Sequence, residues 1–145
     1  MQVKDVMTPD PACCSADTKL QEVAQLMVDN DCGLIPITEN DKPVGVITDR
    51  DIVVRTVAKG RNPLDLTAAE CMSKPCVTVT AETPIEECAK TLETKKIRRI
   101  VVADADGKCY GIVALADIAL RATPKVTNEV VKEVSEPGTA ASAAG

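Results

Sequence analysis

Gly45-Val46-Ile47-Thr48-Asp49-Arg50-Asp51-Ile52 returns 66 residues later as Gly111-Ile112-Val113-Ala114-Leu115-Ala116-Asp117-Ile118. Each copy opens as a short apolar run rich in β-branched residues and ends on a carboxylate, the mark of a strand running into a helix. Upstream, Ser15-Ala16-Asp17-Thr18-Lys19-Leu20-Gln21-Glu22-Val23-Ala24 recurs as Thr80-Ala81-Glu82-Thr83-Pro84-Ile85-Glu86-Glu87-Cys88-Ala89, offset by 65. Val6-Met7-Thr8 recurs as Cys71-Met72-Ser73, and Leu34-Ile35-Pro36-Ile37 maps onto Arg99-Ile100-Val101-Val102, both at the same offset. The step from 65 to 66 places one inserted residue in the loop around Ala103 to Lys108. The chain is one supersecondary unit written twice.

Each copy reads alike. Asp17/Thr18 and Glu82/Thr83 are N-cap candidates, with Pro84 at a first helical position. Leu20, Val23, Ala24, Met27 and Val28 share one helical face in the first copy; Ile85, Cys88, Ala89 and Leu92 share one in the second. A short strand and a turn follow, Glu39-Asn40-Asp41-Lys42 or Asp104-Ala105-Asp106-Gly107. A second strand (44–48; 109–114) leads into a second helix (49–58; 115–122). The expected fold is mixed α/β (α+β), two pseudo-symmetric β-α-β-β-α motifs packed through their small sheets. The expected boundaries are 1–60 for the first motif, 61–70 for a linker and 71–124 for the second. A C-terminal extension, 125–145, carries Val126, Val130, Val131 and Val134 at helical spacing, then a low-complexity tail from Pro137 expected to be disordered.

Composition closes off much chemistry. Of 145 residues, 45% are hydrophobic, yet there is one Tyr (Tyr110) and no His, Trp or Phe. Without His there is no Ser-His-Asp triad, Cys-His pair or His-ligated metal, and one ring cannot build a base-stacking platform. A net charge of −5 argues against nucleic acid and anionic membrane as partners. No segment approaches the roughly 18 apolar residues of a membrane span, and the N-terminus has no signal-like apolar region. A cytoplasmic location is expected.

The seven cysteines (13, 14, 32, 71, 76, 88 and 109) form no Cys-x-x-Cys. Cys88 and Cys109 read as small core hydrophobes. Cys13/Cys14 and Cys71/Cys76 fall in loops, where a thiol can serve redox chemistry. A redox sensor on those pairs is one alternative reading; no metal site is expected.

The repeated Gly-h-h-Thr-x-x-Asp segment carries the chemistry. A hydroxyl residue at a helix start, with backbone N–H groups behind it, suits a phosphate, and a carboxylate three residues on could accept from a ribose diol. The same Thr-x-x-Asp pattern is also a plain capping box.

With Asp5-Val6-Met7-Thr8 opening the repeat, the Asp17-Thr18 helix start, Leu34-Ile35-Pro36-Ile37 and Gly45 to Ile52, the sequence resembles the CBS domain family. The arrangement is the tandem pair called a Bateman module, over residues 3 to about 123, similar to small stand-alone bacterial pairs of the hypoxic-response type. The resemblance implies a non-catalytic regulatory module that pairs into disc-like homodimers, acts on an unnamed partner protein, and has two clefts between its repeats. The clefts would take an adenosine ligand, AMP, ADP or ATP foremost, with NAD or S-adenosylmethionine as other members of the class. In the first cleft it implies Asp51 on ribose, Thr48 on phosphate and Val46 on adenine, with Arg50 at the mouth. Cys76 and Val77, with Ile97, Arg98 and Arg99, would complete that cleft. In the second it implies Ile112 and Asp117, with Asp10, Ala12, Cys32 and Gly33. Ala114 stands where a hydroxyl is expected, and Cys32-Gly33-Leu34 offers no match for Ile97-Arg98-Arg99. The clefts are therefore expected to be unequal, the Thr48/Asp51 cleft holding nucleotide better. The alternative is an interaction protein with vestigial clefts.

Overall fold

β-branched pairs flanking a polar turn make each half a hairpin, and the computed structural model, which describes residues 1–121, builds both halves around one. The elements are β1 (Thr8–Pro9), α1 (Leu20–Asn30), β2 (Leu34–Glu39), β3 (Lys42–Thr48), α2 (Asp49–Arg55), β4 (Thr78–Thr80), α3 (Ile85–Lys95), β5 (Arg99–Ala103), β6 (Cys109–Ala114) and α4 (Leu115–Arg121). The C-terminal extension, with its helically spaced valines and low-complexity tail, lies outside the described residues.

The β2–β3 hairpin turns through Asn40 and Asp41, both at positive φ (53° and 65°), the two-residue geometry whose twist matches paired strands. Its counterpart β5–β6 needs a longer loop, in which Asp104 Oδ1 accepts from the N–H groups of Asp106 and Lys108, each at 2.9 Å. The inserted residue sits in this turn. Both hairpins carry a register shift at the same repeat position, Ile37/Thr38 and Val102/Ala103.

The sheets are unequal. One has four strands in the order β1-β6-β5-β4, with β4/β5 parallel and the other pairs antiparallel; the other has β2 and β3. The strand equivalent to β4 survives in the first half as a single parallel bridge, Cys14 to Ile37. Cys13-Cys14-Ser15 lacks the β-branched run Thr78-Val79-Thr80, and Pro11 nearby cannot donate to a ladder.

The opening segment of each repeat packs on the other half. β1 pairs Thr8 with Ile112, and its equivalent pairs Ser73 with Val46. Gln2 bridges Pro84, and Thr67 bridges Lys19. Val3 and Val6 thus join Ile85, Cys88, Leu92, Ile100, Val113 and Ile118 in one apolar core. Leu66, Ala68 and Cys71 join Leu20, Val23, Met27, Ile35, Ile37 and Ile47 in the other.

These bridges correct several local expectations. Lys19 and Pro84 are extended and bridged, so they become the N-cap positions of α1 and α3, one residue later than Thr18 and Thr83, and neither caps through its side chain. Pro84 therefore precedes the helix instead of occupying its first turn. Val28 is 72% exposed, because the buried stripe of α1 narrows to Leu20, Val23 and Met27. The first half's last helix ends at Arg55 and continues as a separate 3-10 turn, Val57–Lys59, with Gly60 left-handed at its end.

Candidate functional site

The sequence places a hydroxyl and a carboxylate at the end of β3, and the fold makes them one wall of a cavity of about 590 Å³. Its lining includes Val46, Thr48, Arg50, Asp51, Val77, Ile97, Arg98 and Arg99. Eight of the nine residues expected in the first cleft therefore meet around one space. Cys76 does not line it: Ser73 and Pro75 of the same loop do, and the Cys76 thiol turns to its neighbour's carbonyl, Val77 O, at 3.8 Å.

Thr48 and Asp51 form a full capping box. Asp51 N–H donates to Thr48 Oγ1 and Thr48 N–H to Asp51 Oδ2, both at 3.0 Å. The other carboxylate oxygen accepts from Ser73 Oγ at 3.3 Å and lies 3.8 Å from Arg55 Nε. Arg55 in turn donates to Met72 O (2.9 Å) and Ser73 Oγ (3.0 Å), tying α2 to the loop from the other repeat. The capping reading is thus satisfied in the structure, and it changes the expected phosphate chemistry. Asp49 N–H donates to Gly33 O, Arg50 N–H to Asp49 Oδ1 and Asp51 N–H to Thr48 Oγ1, so these helix-start groups already have acceptors. An anion here would meet the Thr48 hydroxyl and the cations that line the same cavity.

Those cations are the site's main electrostatic feature. Arg50, Lys96, Arg98 and Arg99 line the cavity against two carboxylates, Asp49 and Asp51. Lys96 is held at positive φ (53°) as the cap that ends α3, which delivers it to the mouth just before β5 begins. Arg98 Nε is buried without a hydrogen-bond partner among the described residues, a desolvated donor that costs about 1–3 kcal/mol until something accepts from it. Arg99 lies across Gly33: a Cβ there would sit 3.2 Å from Arg99 Nη2 and 3.0 Å from Asp49 Oδ2. Val46, Val77 and Ile97 supply an aliphatic surface, as a chain with one exposed tyrosine requires.

The residues expected in the second cleft lie elsewhere. None of Asp10, Ala12, Cys32, Gly33, Ile112 and Asp117 lines this cavity. Asp10, at φ 51°, donates its N–H to Tyr110 O at 3.1 Å, and Ile112 pairs with Thr8. Ala12 and Cys32 pack against the core of the first half. Asp117 accepts from Ala114 N–H at 2.9 Å, half of a capping box whose other half needs the missing hydroxyl.

Sequence reasoning did not assign Ser73, Asp49 or Lys96 to the site. Ser73 carried a signal, since it repeats Thr8 and so had to meet the strand equivalent to β6. Asp49 and Lys96 reach the cavity only through the way α2 and β5 are set together.

The sequence profile of the family described as CBS domain matches residues 3–56 and again 68–122. An uncharacterized protein of Methanopyrus kandleri is 34% identical over 92% of the chain, which spans 65% of that protein's length. Hypoxic response protein 1 of Mycobacterium tuberculosis is 32% identical over 92% of the chain and 94% of its own. A CBS domain-containing protein of Bacillus subtilis is 36% identical over 81% and 83%. Among solved structures, Hypoxic Response Protein I with two coordinated zinc ions superposes with TM-score 0.75 at 31% identity, over 85% of this chain and all of that one. The CBS domain pair of protein MJ0100, in complex with 5-methylthioadenosine and S-adenosyl-L-methionine, gives 0.74 at 25% identity, over 83% and 98%. A CBS domain protein of Pyrobaculum aerophilum complexed with AMP gives 0.76 at 24% identity, over 91% and 99%. With two matched copies accounting for most of its length, the chain belongs to the CBS domain family.

Proposed function

We propose that the chain is a regulatory, non-catalytic module that binds a phosphate-bearing adenosine ligand, AMP or ATP foremost, in the cavity between its repeats. The observation that carries this reading is the charge of the site. A chain of net −5 gathers four cations against two carboxylates around about 590 Å³, a volume suited to a nucleotide. Arg98 and Arg99 offer guanidinium forks to phosphate, and Thr48 a hydroxyl. Asp51, with acceptor capacity beyond its contacts to Thr48 and Ser73, takes the ribose, while Val46, Val77 and Ile97 hold adenine without a stacked ring. Relatives of this fold carry AMP or S-adenosyl-L-methionine; a cation-rich mouth favours phosphate over a sulfonium. The second cleft, without a hydroxyl at Ala114, binds more weakly.

Regulation then follows from linkage: a ligand that prefers one arrangement of the repeats shifts the population toward it. A homodimer belongs to the same reading, with Val57 and Leu120 standing exposed on the surface. A cytoplasmic setting and a separate regulated protein complete it. No helix among the described residues is long and apolar enough to cross a membrane.

Calorimetric titration of AMP, ATP and S-adenosylmethionine tests the proposal. Wild type is expected to bind AMP or ATP, with Asp51→Ala and Arg98→Ala each at least about tenfold weaker, the loss typical of a charged hydrogen bond. Unchanged binding in both variants, or no heat with any nucleotide, sinks it.

A further inference from the structure

The fold brings together two thiols that the sequence keeps 96 residues apart. Cys13 Sγ lies 3.5 Å from Cys109 Sγ, across the boundary between the repeats. Both side chains are half-buried, so a small oxidant can reach them, whereas Cys71 and Cys88 are enclosed in the two cores. The pairings that spacing suggested, Cys13 with Cys14 and Cys71 with Cys76, are not the one the structure makes. The segments on either side are already in register. Pro9 pairs with Gly111, Asp10 N–H donates to Tyr110 O, and Cys109 N–H donates to Asp41 O at 2.9 Å. On the other flank Cys14 is bridged to Ile37. Closing a disulfide asks the two sulfurs to approach by about 1.5 Å.

We propose that Cys13 and Cys109 are a reversible thiol–disulfide site, oxidised by a hydroperoxide, that clasps the loop after β1 to the start of β6. The order of the two steps follows from the hydrogen bond between them. The Cys13 S–H lies between Pro11 O (3.3 Å) and Cys109 Sγ. Its donation holds the Cys109 thiol below its ordinary pKa, while the same bond and burial push Cys13 up. A thiolate on Cys109 accepts that S–H, whereas one on Cys13 would face the Pro11 carbonyl, so Cys109 is the nucleophile. Its thiolate attacks one oxygen of hydrogen peroxide, the O–O bond breaks, and hydroxide leaves to be protonated to water, giving Cys109 sulfenic acid; with an organic hydroperoxide the alkoxide leaves and becomes the alcohol. Cys13 sulfur then attacks the Cys109 sulfur; the S–S bond forms, the S–O bond breaks, and the Cys13 proton leaves with that oxygen as water. Two electrons pass from the thiol pair to the peroxide. In a reducing compartment such a bond is transient, as a signal must be. It would restrain Asp10, Ala12 and Ile112, the residues the family resemblance assigns to the second cleft, and leave the Thr48/Asp51 cavity untouched. The bond forms whether or not a nucleotide is bound.

The test is hydrogen peroxide treatment of the whole chain, maleimide quenching and peptide mapping without reductant. Two of the seven thiols should disappear, with a Cys13–Cys109 linked peptide whose yield is independent of protein concentration and lost with dithiothreitol. The bridged form should melt higher, by on the order of 10 °C, since a loop of this length is closed. In Cys13→Ser, a sulfenic-acid trap such as dimedone should label Cys109; in Cys109→Ser it should leave Cys13 unlabelled. Seven intact thiols, a linked peptide joining Cys76 to Cys109 or two chains together, or dimedone on Cys13 would overturn the proposal. The mapping on wild type stands whether or not either variant folds.

Discussion

At the scale of single residues, the two repeats differ most informatively at Thr48 and Ala114. Thr48 closes a capping box with Asp51; Ala114 leaves Asp117 holding one side of the same device, with a 2.9 Å bond from its own N–H and no oxygen to return. Restoring the hydroxyl, Ala114→Thr, should stabilise the protein by about 1 kcal/mol, read as a Tm rise of about 3–5 °C, and Thr48→Ala should lose a similar amount. Equal melting temperatures for Ala114→Thr and wild type would mean that α4 gains nothing from its cap. This difference was legible in the sequence. Which cations faced Thr48 was half legible: Arg98 and Arg99 stood out, whereas Lys96 had no motif around it. The capping box also uses the N–H groups that sequence reasoning left for a phosphate, because a local partner three residues away wins over a ligand that must come from solution.

At the scale of elements, the decisive contact is the crossing of each hairpin's second strand by the other repeat's opening segment. Gly45 and Gly111 sit at these crossings. A Cβ on Gly45 would meet the Ser73 carbonyl at 2.9 Å and Met72 Sδ at 3.1 Å. On Gly111 it would meet Met7 Sδ at 2.8 Å and the Thr8 carbonyl at 3.0 Å. Backbone cannot step aside as a thioether can, so both alanine variants should be destabilised, by about 1–3 kcal/mol, with Gly45→Ala the worse. Urea unfolding of the two variants against wild type checks the sign and the order. Gly45→Ala should also weaken nucleotide binding, since Ser73 contacts Asp51. The period of the apolar residues predicted the hairpins and the helices that flank them. It overextended the buried face of α1 to Val28 and missed the bridges that delay α1 and α3, because amphipathic period describes a helix without saying which neighbour will cover it.

At the scale of the whole molecule, neither core is made by one repeat. Val3 and Val6 are 0% and 2% exposed among residues 81–118, and Ala68 and Cys71, both 0% exposed, complete the core of the first half. Fragments 1–62 and 63–145, expressed separately, should each lack cooperative unfolding by circular dichroism. Mixed, they should recover helix signal and a sigmoidal melt, since each carries the segment the other core is missing. Cooperative folding of either fragment alone would show that the exchanged segments are dispensable. A half of about 60 residues is in any case near the lower limit of what a single apolar core sustains.

The repeat, the element types, the aliphatic character of both cores and the Thr48/Asp51 end of the cavity can be read along the chain, because each follows from spacing or from which side chains exist at all. Tertiary structure alone decided that opening segments are exchanged, that Ser73 and Lys96 reach the cavity, and that Cys13 meets Cys109. Those are contacts between residues tens of positions apart, and no local period or propensity records where the other half of the chain will lie.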